Sequence, residues 1–233
     1  MPYSRSVQAR ESPEGGRLTA DMVGIGMLFA APASREPNIE DTLVAASDAG
    51  MERNDLRVLS VLTTWLGIHH PRINADRLVR ALKVQPSSRV LCYWASVGTW
   101  LRKDSRLARL ETLYEGSRID LLRSGTGFQV GRRGEDPRFR GSCLRVPAGI
   151  LRDRAADVLS PAELVKRNTT YRFRVLIGPT YRADMWAALE LDPELSAARL
   201  ARSTYGSFAT AWKVRQDWAL LHAPRSRRRF EMR

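Results

Sequence analysis

The chain has 233 residues, of which 43% are hydrophobic, so it is long enough to bury one large core or two small ones. Its formal net charge is +13 and its pI is near 10.7, which favours polyanions such as nucleic acid through counterion release. Its two cysteines exclude a disulfide framework, and we expect a reducing, cytoplasmic compartment.

The positive charge is placed unevenly along the chain. Residues 1–50 contain 4 basic and 7 acidic side chains, residues 51–160 contain 20 and 11, and residues 161–233 contain 14 and 7. The positive field therefore belongs to the chain after residue 50. An anionic membrane surface or an acidic protein would also be attracted by it, so charge alone leaves the partner open.

Residues 1–50 are predicted to form an N-terminal arm and a short helix. Residues 1–19 are polar and without periodicity, which is typical of a disordered arm. Residues 22–31 are apolar and predict a buried strand or helix end. Acidic residues precede this run, which argues against a secretory signal, and the run is too short to span a membrane. Asn38 is then expected to cap a helix over residues 39–47 that ends at Gly50.

Residues 51–146 predict a winged-helix-like module of three helices and a β hairpin. Asn54, Asn74 and the pair Ser87-Ser88 are expected to cap the helices. Apolar or alternating runs at 118–122 and 128–132 lie between glycine-rich turns and predict the hairpin, and 142–146 adds a strand. A wing beside DNA would place four arginines on phosphates: Arg132, Arg133, Arg138 and Arg140. The alternative is a solvated loop of mixed charge.

Residues 147–168 predict connecting helices, the second of them starting with Ser160-Pro161 in the favoured order of cap and proline. Residues 171–177 alternate as a strand does, with Tyr171, Phe173 and Val175 on one face. This strand and a glycine-proline turn open the C-terminal module, residues 169–233.

Three further short helices are predicted in the C-terminal module, over about 182–190, 196–202 and from Ser207 to at least residue 218. The first is closed by a proline, and Ser196 and Ser207 are the expected caps of the others. Small residues at Ala201 and Ala211 would let the second and third helices approach closely. This pattern predicts a helix-turn-helix.

The C-terminal module resembles the family of winged-helix DNA-binding proteins over some forty residues. Two departures accompany the likeness: the turn of the family usually has glycine where this chain has Tyr205, and only residues 219–233 remain for the strands of a wing. The residues that carry the resemblance are Leu200, Ala201, Arg202, Gly206, Ser207, Ala211 and Val214.

A helix-turn-helix places its last helix in the major groove of DNA, where side chains contact base edges, while other groups hold phosphates. The outward face of the third helix, and so the expected base contacts, comprises Phe208, Thr210, Trp212, Lys213 and Gln216. The expected phosphate contacts are Arg199, Arg202, Ser207, Arg215, Arg225, Arg227, Arg228 and Arg229. The two exposed aromatics would equally suit docking of a protein.

Catalytic constellations are sparse, and we expect neither an enzyme nor a cofactor or metal. Adjacent His69 and His70 lie just beyond a predicted helix end, and Glu135 and Asp136 are flanked by arginines that would neutralise them. The chain has no phosphate-cradling Gly-Lys-Ser loop and no nucleophile elbow.

The sequence therefore predicts a mainly α fold with small β hairpins (α+β), built from tandem winged-helix-like or helix-turn-helix modules. The expected function is sequence-specific binding of double-stranded DNA by a cytoplasmic transcriptional regulator, with a homodimer as the possible assembly. The architecture is also similar to that of the AbiEi-like antitoxins of AbiE-type pairs, which implies repression of the protein's own operon and a nucleotidyltransferase toxin as partner. A protein-interaction module that uses exposed aromatics, and an RNA-binding protein, are the alternatives.

Overall fold

The computed structural model describes residues 15–35, 37–85 and 87–223, and this part of the chain is mainly helical. Short 3-10 turns occur at His70–Arg72, Glu111–Leu113 and Ala155–Asp157. The α-helices in chain order are α1 Gly15–Gly24, α2 Ile39–Glu52, α3 Leu56–His69, α4 Ala75–Lys83, α5 Ser88–Trp100, α6 Ser105–Ala108, α7 Thr126–Arg133, α8 Pro161–Arg167, α9 Thr169–Ile177, α10 Tyr181–Leu191, α11 Ala197–Thr204 and α12 Phe208–His222.

Most of the predicted helix starts are confirmed by side-chain caps. The cap of α2 is Asn38, whose Oδ1 accepts the Asp41 N–H at 3.2 Å. The same geometry occurs at Asn74, Ser87, Ser160, Ser196 and Ser207. The cap predicted at Asn54 is wrong: Asn54 has a left-handed backbone, φ 59°, and Asp55 accepts the Val58 N–H at 3.0 Å instead.

The first helices enclose the larger core. Nearly all of α3 and α5 is buried, and both carry a fully buried tryptophan. The Trp65 indole donates to Ile25 O at 2.8 Å, and the Trp94 indole donates to Ser47 Oγ at 2.9 Å. These bonds satisfy the polar atom of each ring, so the rings contribute their apolar area without an unpaired donor.

The predicted N-terminal arm is too long, because α1 already begins at Gly15. Its Leu18 and Met22 are buried against the larger core, and Met27 forms an isolated antiparallel bridge with Val158. Residues 1–14 of the predicted arm lie outside the described residues. For the apolar run at residues 22–31 the sequence predicts a buried strand or a helix end. The helix end is confirmed for the start of this run, because α1 ends at Gly24.

The hairpin predicted over 118–122 and 128–132 is wrong. Residues 126–133 form α7, and the short strand β1 (Ile119–Asp120) pairs in parallel with β2 (Leu144–Arg145). The Ile119 N–H donates to Cys143 O at 2.8 Å, so the partner of β1 comes from the segment predicted as an added strand. Phe128 stays 70% exposed on α7, which shows that this short apolar run had no core face to cover.

The strand predicted over 171–177 is also wrong, because these residues form α9. Its cap is Asn168, whose Oδ1 accepts the Tyr171 N–H at 2.7 Å. The buried residues of α9 are Tyr171 and Arg174, which are three apart and so share a helical face. The buried face of α9 is therefore the one that carries Arg174, and it does not follow the alternation of apolar side chains.

Residues 147–168 contain one helix rather than several. Residues 147–159 are irregular apart from the 3-10 turn, and α8 starts at a complete capping box between Ser160 and Glu163. Leu151, Val158 and Leu159 of the irregular segment are nevertheless buried in the larger core. The amphipathic pattern of this segment predicted a helix, which is wrong, and of its expected inward face Leu151 and Val158 are buried, Ile150 is half-buried and Ala155 is exposed.

A buried ion network joins α9 to its neighbours. The Arg174 guanidinium is fully buried and donates to Glu40 of α2 at 2.6 and 2.9 Å and to Asp184 of α10 at 2.7 and 2.9 Å. Arg77 of α4 adds a bond to Asp184 at 3.3 Å. Although burial opposes the charged form, the two carboxylates raise the pKa of Arg174 above its ordinary value. The network fixes the C-terminal helices to the larger core.

Candidate nucleic-acid interface

The last three helices, α10, α11 and α12, pack around a second and smaller core. The Trp186 and Trp218 rings lie 5.5 Å apart across α10 and α12. The three helices have the predicted order and lie within a few residues of the predicted bounds, Ser196 and Ser207 are confirmed as caps, and the cap of α10, which the sequence did not predict, is Thr180. The buried residues of this core are Met185, Trp186, Leu189, Leu200, Ala201, Ala211 and Val214.

The turn between α11 and α12 is built around Tyr205 in a left-handed conformation, φ 58° and ψ 20°. This is the position at which the winged-helix family usually has glycine. The Tyr205 N–H donates to the carbonyls of Ala201 and Arg202, which closes α11 as a glycine would. The Arg77 guanidinium lies 4.5 Å from the centre of the Tyr205 ring, and the hydroxyl lies 3.3 Å from Asp41 Oδ2. These contacts offset the cost of a left-handed non-glycine residue.

The following Gly206 has an ordinary φ and lies close to the end of the Met185 side chain. A Cβ at this position would lie 2.2 Å from Cε of Met185, a buried residue of α10. The absence of a side chain therefore lets the turn cross directly over α10. Tyr205 therefore supplies the left-handed backbone of the turn, and Gly206 supplies the space for its close approach to α10.

Close packing of α11 on α12 gives a direct test of the smaller core. Ala211 is fully buried, whereas Ala209, two residues earlier on α12, is exposed. We expect Ala211→Leu to lower the free energy of unfolding by about 1–3 kcal/mol, because extra methylene groups have no space in a packed core. Ala209→Leu is the matched control and should change it by less than about 0.5 kcal/mol. Equal effects in urea unfolding would contradict the packing.

The face of α12 turned away from the smaller core is exposed. Phe208 is 59% and Trp212 51% exposed, and Lys213 and Gln216 are exposed beside them. Four of the five predicted base-contacting residues therefore share an open helical surface. This surface, formed by Phe208, Trp212, Lys213 and Gln216, is called the α12 face below.

Thr210 and Ser207 are engaged in the cap of α12. The Thr210 N–H donates to Ser207 Oγ at 3.0 Å, and the two hydroxyl oxygens lie 2.7 Å apart. Thr210 is half-buried. Its hydroxyl is thus occupied at the helix start, and Gln216 is the better placed polar group for a base edge.

The arginines beside the α12 face differ in whether their guanidinium groups already have a hydrogen-bond partner. Arg215 donates to Leu195 O and ties α12 to the loop before α11, so its guanidinium is not available to phosphate without breaking that contact. The side chains of Arg199 and Arg202 are exposed on α11 and have no partner among the described residues. Arg225, Arg227, Arg228 and Arg229 lie outside the described residues.

A cleft of about 300 Å³ lies between α11 and the larger core. Arg199, Ser203 and Thr204 of α11 form one side, and Asn38 and Ile39 at the start of α2 form another. Arg77, Arg174 and Asp184 also line it, so the buried ion network reaches this cleft.

The four arginines predicted for a wing do not form one. Arg132 and Arg133 end the exposed face of α7, and Arg140 is exposed in the loop after it. Arg138 is structural: it pairs with Asp136 at 2.6 Å and donates to Leu151 O. Without the second strand of the hairpin, these residues have no common wing surface.

The three helices predicted within residues 51–146 are present as α3, α4 and α5, but α5 is too deeply buried to contact DNA. Val90, Tyr93, Trp94 and Val97 are fully buried, and residues 92–98 are buried without interruption. A recognition helix must present one open side to the groove. Helices α3, α4 and α5 therefore belong to the larger core. The α12 face remains the candidate interface.

The histidines considered for catalysis have structural partners. His69 is fully buried, with Nδ1 2.8 Å from the Tyr171 hydroxyl and Nε2 3.0 Å from Leu159 O. The carbonyl accepts only, so Nε2 carries the proton and Nδ1 accepts from Tyr171. Burial lowers the pKa of His69 to about 4, opposed by the bond to Leu159. His70 Nδ1 lies 3.2 Å from Leu66 O, at the end of α3.

The acidic pair is likewise occupied by arginines. Glu135 accepts two bonds from Arg118, at 2.9 and 2.6 Å, and these hold its pKa below the ordinary value. Asp136 is buried and paired with Arg138. Across the ranges that the structure describes, no three His, Cys, Asp or Glu side chains are placed to hold a metal ion. Nor does any described helix have the length and apolar character of a membrane span.

Sequence reasoning missed the residues that position the candidate interface. The predicted strand over 171–177 places Arg174 on the face opposite Tyr171, Phe173 and Val175. The sequence predicts no role for Glu40 or Asp184. The available signal was the helical spacing of Tyr171 and Arg174 directly after the cap at Asn168. Burial of three charged groups could not be anticipated, because their partners are 134 and 10 residues away in the chain.

Comparisons of the chain with protein-family models, with curated proteins and with solved structures found no match.

Proposed function

We propose that this protein binds double-stranded DNA sequence-specifically through the α12 face, as a transcriptional regulator or an antitoxin that represses its own operon. The observation that carries the proposal is the arrangement of α11 and α12. Ala211 and Val214 are buried against α11, while Trp212, Lys213 and Gln216 are exposed on the opposite side of the same helix. A helix of this kind fits the major groove of B-DNA.

Each exposed group has a role that its chemistry supports. The Gln216 amide is suited to the paired donor and acceptor of adenine, and Lys213 to the acceptors of guanine. Phe208 and Trp212 offer apolar area to thymine methyl groups. Arg199 and Arg202, exposed on α11, would hold phosphates and set the position of the helix without selecting sequence.

The first experiment is a fluorescence-anisotropy titration of the full chain against two duplexes at low and at physiological salt. One duplex carries the region upstream of the protein's own coding sequence, and the other is its scrambled counterpart. We expect a preference for the upstream duplex that persists at physiological salt. Equal binding to both duplexes that disappears at physiological salt would contradict the proposal, because it would show only sequence-independent electrostatic attraction to phosphates. Tighter binding to a single-stranded RNA of the same sequence would support the RNA-binding alternative instead.

Substitutions on α12 and α11 separate base contacts from phosphate contacts. We expect Gln216→Ala to weaken binding of the upstream duplex by about 1–3 kcal/mol and to leave the scrambled duplex unchanged. Arg202→Ala should weaken both duplexes alike and reduce the salt slope by about 1. Arg167→Ala removes the same charge from an exposed position on α8 and should change neither.

A second candidate function rests on the two exposed aromatics of the α12 face. Phe208 and Trp212 are four residues apart and together expose a large apolar surface, which suits the centre of a protein interface. The proposed partner is an associated toxin, as the architecture of AbiE-type pairs implies. Trp212→Ala separates the candidates: under protein docking it abolishes capture of the toxin and leaves DNA affinity unchanged, whereas under groove binding it weakens DNA.

A further inference from the structure

The two cysteines of the chain, which are 51 residues apart in sequence, meet at the surface of the larger core. Cys92 lies within α5 and is fully buried, and Cys143 lies just before β2 and is half-buried. Their sulfur atoms are 3.3 Å apart. A disulfide has a bond of about 2.05 Å, so a relative movement of roughly 1.2 Å would join them.

The surroundings of the two sulfurs are unequal. The Cys92 thiol donates to Cys143 Sγ, and Ser96 Oγ lies 3.2 Å from the same sulfur. The hydrogen bond from Cys92 is the main cause that lowers the pKa of Cys143 to about 6, with Ser96 and the positive charge of Arg118 adding to it. Donation of that bond and burial raise the pKa of Cys92. The Cys143 sulfur also lies 3.2 Å from the Cys92 carbonyl oxygen, to which its thiol can donate. Cys143 is therefore the more readily ionised and more accessible sulfur, and Cys92 is a protonated thiol behind it.

The other charged or titratable groups near this pair are limited. Arg118 pairs with Glu135, and the Tyr114 hydroxyl donates to Ser117 O at 2.7 Å. Both cysteines raise the pKa of Tyr114 in addition to burial, so the phenol stays neutral across the physiological range.

We propose that Cys92 and Cys143 form a reversible oxidation site, in which a hydroperoxide converts the dithiol to an intramolecular disulfide. The proposal does not depend on the function assigned to the α12 face. Its basis is the direct contact of the two sulfurs, one of them buried on a rigid helix and the other reachable from solvent.

The chemistry proceeds in two balanced steps. The Cys143 thiolate attacks one oxygen of hydrogen peroxide, an S–O bond forms, the O–O bond breaks and hydroxide leaves. The Cys92 sulfur then attacks the Cys143 sulfenic acid, the S–S bond forms, the S–O bond breaks and the second oxygen leaves as water. The two thiols lose two electrons and two protons, and one peroxide yields two waters.

The disulfide would form where hydrogen bonds already hold this segment to α5 and to β1. The Leu144 N–H donates to Ser96 Oγ at 3.0 Å, and the Ile119 N–H donates to Cys143 O at 2.8 Å as part of the β1–β2 pairing. A covalent link at the same place restricts the unfolded chain without requiring a large change in the native structure. We therefore expect the oxidised protein to melt about 5–10 °C higher than the reduced protein.

The test treats the full chain with hydrogen peroxide and counts thiols after denaturation. The expected result is a decrease from two titratable thiols per chain to none, a mass loss of about two hydrogens, a monomer on a non-reducing gel and full reversal by dithiothreitol. In Cys92→Ser the remaining Cys143 should instead gain oxygen and react with dimedone. Ser96→Ala, which keeps both thiols, should oxidise several-fold more slowly.

Two results would overturn the proposal. One is retention of both thiols under peroxide conditions that oxidise a free low-pKa thiol, and the other is a disulfide that links two chains. Alkylation of Cys143 by iodoacetamide provides an independent check. Its rate should be half-maximal at a pH below the ordinary pKa of a thiol in the native protein, and this midpoint should rise in Cys92→Ala, which lacks the sulfur hydrogen bond. An unchanged midpoint would contradict the assigned roles of the two sulfurs.

Discussion

Replacing Arg174 by methionine is expected to lower the free energy of unfolding by about 3–5 kcal/mol. The guanidinium is fully buried and its three nitrogens bond Glu40 and Asp184, which are themselves almost completely buried. Methionine leaves both carboxylates buried without their principal partner. Chemical unfolding monitored by circular dichroism measures the loss.

Arg172 on the same helix is the matched control. It pairs with Glu190, but its side chain is 39% exposed and that of Glu190 is 43% exposed. Because exposed pairs contribute little, Arg172→Met should cost less than about 1 kcal/mol. A loss at Arg174 no larger than that at Arg172 would show that the network does not fix α9 between α2 and α10. Adding Glu40→Gln and Asp184→Asn to Arg174→Met should recover part of the stability, since fewer unpaired charges stay buried.

Acid is expected to destabilise the protein through His69 by about 2 kcal/mol between pH 7 and pH 5. The ordinary pKa of histidine is 6.5, and burial lowers that of His69 to about 4 in the folded protein. Between these values the unfolded chain binds a proton that the folded chain does not. Stability is therefore fully present above pH 6.5 and is lost as the pH falls toward 4.

The measurement is a set of urea unfolding curves between pH 7.5 and pH 5 for the native protein and two variants. His69→Gln is neutral throughout and should flatten the pH dependence, although it loses packing and starts from lower stability. His70→Gln, at the adjacent half-buried position, should keep the slope of the native protein. An unchanged slope in His69→Gln would assign the acid sensitivity to other groups, such as the carboxylates whose pKa is lowered by arginines.

Local signals in the sequence predicted the helices that start at a Ser or Asn cap, although α7 and α9 were predicted as strands. Ser and Asn caps accept N–H groups from within the same turn, so Asn38, Asn74, Ser87, Ser196 and Ser207 could be predicted without knowledge of the rest of the chain. The spacing of Ala211 and Val214 likewise determines which face of α12 is buried, because the helical repeat is a property of the backbone. The order of α10, α11 and α12 and the exposed α12 face follow from these local rules.

The β structure and the irregular segments could not be predicted in the same way. Residues 128–132 and 171–177 are short runs in which strand and helix periods cannot be separated, and both are helical in the protein. Strand β1 has its partner some 25 residues later, so its pairing depends on where the chain returns. Short apolar runs take the conformation that the surrounding core permits.

The sequence by itself determined the mainly helical architecture, most of the caps, the order of α10 to α12 and the polar groups that α12 exposes, because each depends on residues within one or two helical turns. Only the tertiary structure decided that α5 is a core helix, that Tyr205 replaces a glycine, that Arg174 is buried and that the two cysteines touch. Those features depend on partners tens of residues away, whose meeting is settled by packing and by the pairing of buried charges. Local periodicity carries no information about either.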